Sequence, residues 1–199
     1  MTLYLVRHGK AAAGVEDLDP GLDEAGRAQA EAAARALQDT NTRRLIVSPM
    51  RRTRETALPI AEALACETIV RVEVAEVYDP NMPIEERRNM IGPFMAGRWT
   101  GQPQALLDWR QRVVDTLVEL GKEADAASED LVVVSHYIAI SVAIGEALGD
   151  DRVVPVPMAN ASITTMRLGP GGLELVEAAS TAHLPPELVT GIGQAMAGR

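Results

Sequence analysis

The sequence predicts an α/β fold, a three-layer α/β/α sandwich around a mostly parallel mixed sheet. Three observations carry that expectation. The segments "TLYLV" (2–6), "RLIVS" (44–48) and "LVVVS" (131–135) are short, β-branched and almost continuously apolar, as strands buried on both faces must be. Each is followed by a helical pattern, which makes βαβ units. Two further runs, "SITTMRL" and "LELVEA", flank "GPGG" and read as a terminal hairpin, so the sheet is mixed.

The first strand, from about Thr2, runs straight into Arg7, His8 and Gly9. A helix is expected from Asp23 ("DEAGRAQAEAAARALQ"). The second strand leads to another helix from Pro49, with Ser48 as its cap and Pro49 at its first position. "TIVRVEV" (68–74) is the third strand. Between Val77 and Pro103 the periodicity breaks at Pro80, Pro83, Pro93 and several glycines, which predicts an excursion at about 77–103 over the carboxyl edge of the sheet. A long helical pattern then runs from near Gln104 to about Asp125, followed by the strand at 131 and a helix from Ile138. After His183, "LPPELVTGIGQAMAGR" has few anchors and is expected to be a loose terminus or a flap. At 199 residues the chain suits one domain over 1–199, and it contains no repeats or low-complexity tract.

Composition narrows the partners. The net charge of −9 disfavours nucleic acid and anionic membranes, both of which are bound through Lys and Arg, but a small anion can still be held where arginines cluster. Aromatic residues are 3% of the chain, so the core must be built from Ala, Leu, Val and Ile. The single cysteine, Cys66, permits no internal disulfide and fits a reducing compartment. Nothing basic or apolar precedes the first strand, and no apolar stretch is long enough to span a bilayer, so a soluble cytoplasmic protein is expected.

In open parallel sheets ligands bind at the carboxyl edge of the strands. Arg7-His8-Gly9, Ser48-Pro49-Met50-Arg51-Arg52 and Ser135-His136 all fall there. Neutral imidazole is a competent nucleophile, and an adjacent guanidinium attracts a dianionic phosphoryl group, so Arg7 and His8 form a capture-and-attack pair. Gly9 lets the backbone approach a ligand closely or adopt a positive φ. Arg52, one turn into its helix, adds a planar fork for two phosphate oxygens, and His136 a second donor. The departing alkoxide needs a proton, and Glu76, Glu73 and Asp79 are the candidate acids. His183 lies outside this group, and no histidine pair has the close spacing of a zinc site.

Together these residues resemble the histidine phosphatase superfamily, the phosphoglycerate mutase-like group, over most of the chain. Arg7-His8-Gly9 resembles its Arg-His-Gly; Leu22, Gly26, Gln29 and Ala30 its Leu-x-x-x-Gly…Gln-Ala; "SPMRRTRETA" its Ser-Pro-x-x-Arg-x-x-x-Thr-Ala, which selects Arg52 over Arg51; and Ser135-His136 its Ser-His. The resemblance implies phosphorylation of His8, a phosphoryl group held by Arg7, Arg52 and His136, Glu76 as the acid, hydrolysis by water, and no metal or organic cofactor. Three features depart from the family pattern. Lys10 and small residues replace the usual Glu or Gln and Thr, Tyr137 stands where glycine is common and is expected to narrow the pocket, and "AEVYDP" lacks the usual Gly-x-Trp-x-Gly, whose nearest echo is "GRWTG" at 97–101. The expected function is a phosphomonoester hydrolase acting on a small phosphorylated substrate or a phosphoprotein. A phosphoglycerate mutase and a catalytically weak phosphate-binding or interaction protein are the alternatives.

Overall fold

The computed structural model describes residues 1–12, 17–77 and 84–192, and the side chains of all of these but 84–88. Six strands form one sheet: β1 (Leu3–Arg7), β2 (Thr42–Val47), β3 (Glu67–Val70), β4 (Asp130–Ser135), β5 (Ile163–Gly169) and β6 (Gly172–Ser180), in the order β3-β2-β4-β1-β5-β6. The first four strands are mutually parallel, and β5 and β6 are antiparallel to their neighbours. This is the mixed α/β sheet expected from the sequence.

The helices are α1 (Glu24–Leu37), α2 (Arg51–Leu64), α3 (Ile84–Met95), α4 (Gln104–Ala126) and α5 (Tyr137–Leu148). Strand periodicity sorts them into layers, since alternate side chains face opposite sides of a sheet. Val6, Leu45, Val47, Val132 and Val134 pack with Ala33, Ala34 and Leu37 of α1 and Ala57 and Ile60 of α2. Leu3, Leu5, Ile46, Leu131 and Val133 face the other way, onto Val113 and Leu117 of α4 and Ile140 and Ile144 of α5. Small alanines let α1 lie close to α2, so a core poor in aromatic residues still closes. No helix among the described residues is long and apolar enough to cross a membrane.

Three local expectations are corrected. β3 ends at Val70, and Val72–Val74 form a single 3-10 turn in place of the strand expected to 74. The β-branched run reads as strand, but the turn lets Val74 bury fully. The broken stretch after Val77 contains helix α3, hidden from the periodicity by Pro93, which lies inside it as Pro59 lies inside α2. Helix α2 starts at Arg51 with an extended Met50 as its cap, so Ser48 is not the cap, and its hydroxyl is used elsewhere.

Register positions the site. Val6, Val134 and Val47 are level, Arg7 stands beside Ser135, and the Ser48 N–H donates to the Val134 carbonyl at 3.2 Å. Three strands therefore end together, and the residues just beyond them meet.

Candidate active site

His8 follows β1, and its backbone N–H donates to the Ser135 carbonyl at 3.0 Å. Its Nδ1 lies 2.7 Å from the Gly9 carbonyl. A carbonyl can only accept, so Nδ1 carries the proton and Nε2 keeps its lone pair. That lone pair accepts from Arg52 Nε at 3.2 Å. Burial, then Arg52 and Arg7, hold the His8 imidazole well below its ordinary pKa, against a smaller opposite effect of the Gly9 carbonyl.

Gly9 is required for a different reason from the ones expected. A Cβ there would stand 2.5 Å from the Gly26 carbonyl oxygen, so the close approach is to α1 and not to a ligand. The Gly9 N–H donates to Thr56 Oγ1 (3.0 Å), which in turn donates to the Arg52 carbonyl (2.7 Å). The turn after the first histidine is thus pinned to α1 and α2 at once.

His136 caps α5, and its ring meets that of His8 edge-on at a centroid distance of 5.3 Å. Arg52 Nη2 lies 3.4 Å from His136 Nδ1 and Ser48 Oγ lies 2.7 Å from Nε2. Because the guanidinium only donates, Nδ1 accepts, and the Nε2 N–H donates to Ser48. Burial first, then His8 and the two arginines, push the His136 pKa well down. Arg52, 5% exposed, therefore bridges both imidazoles, while its Nη1 lies 3.7 Å from Asp19. Both Asp19 oxygens accept from the Arg51 N–H at 3.0 Å, so the α2 N-terminus is already satisfied there by a carboxylate.

Arg7 reaches the same space from the other side. Its Nη1 donates to the Met158 carbonyl at 2.6 Å, and its guanidinium lies 4.6 Å over the Tyr137 ring. Tyr137 OH accepts from the Met158 N–H at 3.3 Å. The expected narrowing of the pocket by Tyr137 is not seen: its ring is buried beneath Arg7.

Of the three candidate acids, Glu76 belongs to this cluster. Its carboxylate accepts from the Val77 N–H (3.1 Å) and from the Ile138 N–H in the first turn of α5 (3.3 Å). Burial raises its pKa, and this outweighs the two N–H donors and the fields of Arg52 and Arg7. Ser135 holds the segment in place by donating to the Val74 carbonyl at 2.7 Å. Glu73 instead pairs with Arg71 at 3.1 Å, and Asp79 lies outside the described residues. His183 bonds the Ala161 carbonyl at 3.0 Å.

The tail expected to be a loose terminus or a flap is anchored through Thr190, and residues 193–199 lie outside the described residues. Buried Gln29 accepts from the Lys10 N–H (2.8 Å) and donates to the Leu188 carbonyl (2.7 Å) and Thr190 Oγ1 (2.9 Å). The Asn160 N–H donates to the Thr190 carbonyl, and the Asn160 side chain reaches the His8 carbonyl at 3.5 Å. Asn160, Asp19 and the Ser48 contact carried no readable signal in the sequence, because each depends on a fold-level neighbour. Among the described residues no group of three or more His, Cys, Asp or Glu side chains could hold a metal ion.

Arg52 joins the two buried imidazoles, and buried Arg7 lies close enough to act on the titration of both histidines and of Glu76; donors of this kind suit a tetrahedral anion. The chain and its fold are similar to known proteins. The family model for the histidine phosphatase superfamily (branch 1) matches residues 3–181. A probable phosphoglycerate mutase GpmB of Photorhabdus laumondii is 29% identical over 174 residues, covering 75% of either chain. Bacillus stearothermophilus YhfR superposes with a TM-score of 0.79 at 20% identity, over 92% of this chain and 99% of that one. A phosphoserine phosphatase of Entamoeba histolytica, solved with 3-phosphoglyceric acid, gives a TM-score of 0.74 at 25% identity over the same shares.

Proposed function

The chain belongs to the histidine phosphatase superfamily, and from that membership we propose that it is a phosphomonoester hydrolase working through a phosphohistidine on His8. The observation that carries this reading is the His8 tautomer, Nδ1–H tied to Gly9 and Nε2 left as a lone pair beside Arg52. Nε2 attacks phosphorus as the P–O(ester) bond breaks, and the leaving oxygen takes its proton from Glu76. Arg7 and Arg52 bind the equatorial oxygens, and Arg52 Nε–H passes from Nε2 to a phosphoryl oxygen, which frees the lone pair. The arriving dianion counters the burial and neighbouring cations that lower the His136 pKa, so Nδ1 takes up a proton from solvent as substrate binds and becomes a donor. Water then attacks the phosphohistidine, Glu76 carboxylate accepts its proton, and phosphate leaves with His8 neutral again.

The substrate we propose is a small phosphorylated molecule, in line with the phosphoserine phosphatase among the similar structures. Cytoplasmic action is proposed from the single cysteine. The GpmB relative favours a second reading, a phosphoglycerate mutase. Turnover of p-nitrophenyl phosphate by wild type and His8→Ala tests the first: activity confined to wild type supports it, and equal rates remove His8 from the mechanism. Conversion of 3- to 2-phosphoglycerate, primed with a bisphosphate and faster than phosphate release, would establish the second.

A further inference from the structure

The residue that follows Glu76 borders an apolar cavity. Val77, whose N–H donates to the Glu76 carboxyl at 3.1 Å, lines this cavity of about 370 Å³ together with Met90, Phe94, Gln102, Pro103 and Leu106. The cavity lies between α3 and the start of α4. Only three residues join α4 to β4, so α4 runs back along the sheet and begins over the carboxyl edge where the site is. The volume is that of a pocket for a small organic group.

Resting on the hydrolase reading, the geometry points to the chemical class of the leaving group. Glu76 protonates the leaving oxygen, so the carbon bonded to that oxygen starts at Glu76 and the atoms after it meet Val77 and the cavity. The described lining carries one amide and no cation, and Gln102 already donates to the Arg98 carbonyl at 2.9 Å. Among the described residues near this edge, Lys10 pairs with Asp23 (2.8 Å), Arg51 with Glu55 (2.7 Å) and Arg110 with Glu146 (3.4 Å), and the charge of Arg98 acts on Asp150. A leaving group carrying its own carboxylate would lose hydration there without a counter-charge, whereas an alkyl or aryl group gains by burial. We propose that this cavity receives the apolar alcohol of a phosphomonoester, and that such esters are preferred over carboxylate-bearing ones such as phosphoserine or phosphoglycerate.

The test compares kcat/KM for ethyl, butyl and hexyl phosphate with phosphoserine and 3-phosphoglycerate, alongside the Kd of the matching non-hydrolysable alkylphosphonates. The expected result is a gain of about fourfold per methylene in both series until the cavity is full, with hexyl phosphate at least about tenfold better than either carboxylate ester. In Leu106→Asp the hexyl-to-ethyl ratio should collapse toward one. A flat series, or a preference for the carboxylate esters, overturns the inference while leaving the hydrolase intact. If no ester is hydrolysed, the hydrolase reading fails by itself, and the alkylphosphonates still decide the cavity: chain-length-dependent binding upholds it and its absence overturns it.

Discussion

Arg52 Nε lies 3.2 Å from His8 Nε2, so the guanidinium donates to the lone pair that we propose attacks phosphorus. The same side chain reaches His136 Nδ1 with Nη2. In the proposed mechanism Arg52 gives up both contacts to phosphoryl oxygens when substrate binds. It also lowers the pKa of both imidazoles, second to burial for His8.

Replacing Arg52 therefore has two effects. Arg52→Ala should lower kcat by about 10²- to 10³-fold, the scale of one lost oxyanion donor, and should move the acid limb of the kcat/KM profile to higher pH as His8 regains basicity. Arg52→Lys should restore little, because one ammonium cannot span both rings. Steady-state kinetics from pH 4 to 9 read both effects; an unmoved acid limb would separate Arg52 from His8.

Glu76 should matter in proportion to the basicity of the leaving group. Glu76→Gln should cost about 10²- to 10⁴-fold with an alkyl phosphate and far less with p-nitrophenyl phosphate, whose phenolate leaves unaided. Burial raises the Glu76 pKa, so in wild type the alkaline limb for alkyl esters lies above the usual carboxylate range. Equal losses with both esters would count against its role as the acid.

Stability should fall toward acid in a defined window. The folded pKa values of His8 and His136 are depressed, so below about pH 6.5 the unfolded chain takes up protons that the folded one refuses. Stability present above that pH is lost as pH falls, by at most about 1.4 kcal/mol per unit for each imidazole. Glu76 acts oppositely, since its raised pKa favours the folded state at low pH, and it offsets part of the imidazole effect as pH falls from its raised folded pKa to the usual carboxylate range. Urea unfolding at pH 7 and pH 5 should accordingly show a shallower drop for His8→Gln and a steeper one for Glu76→Gln. Parallel drops in all three proteins would contradict the assigned protonation states.

Tyr137 supports Arg7 from beneath, and the two share Met158. Tyr137→Leu should raise KM and the inhibition constant of inorganic phosphate about tenfold, near the value of a desolvated cation–π contact, with a smaller change in kcat. Tyr137→Phe keeps the ring and should stay within about threefold of wild type. If Leu and Phe behave alike, the ring is not what positions Arg7.

The parallel strands and the histidine pair were legible because a strand buried on both faces leaves a continuous apolar run, and because chemistry at an open parallel sheet gathers where those runs end. What escaped the sequence depends on contacts between distant segments. Ser48 before Pro49 reads as a helix cap, yet its hydroxyl serves His136 at the cap of α5. Tyr137 reads as an obstruction above the phosphate until Arg7 is found lying over it. Helix α3 is hidden by Pro93, and β3 reads as longer than it is because Val72 and Val74 suit a strand as well as a turn. Glu76 and Glu73 are indistinguishable as letters; packing against α5 separates them.

Rapid mixing with an excess of phosphomonoester, alkaline quench and peptide mass spectrometry tests the central claim most directly. The account predicts an acid-labile phosphoryl group on His8, formed within one turnover, absent from His8→Ala and accumulating in proportion when dephosphorylation is slowed. Steady turnover with no phosphorylated His8, or with the phosphoryl group on another residue, would contradict it.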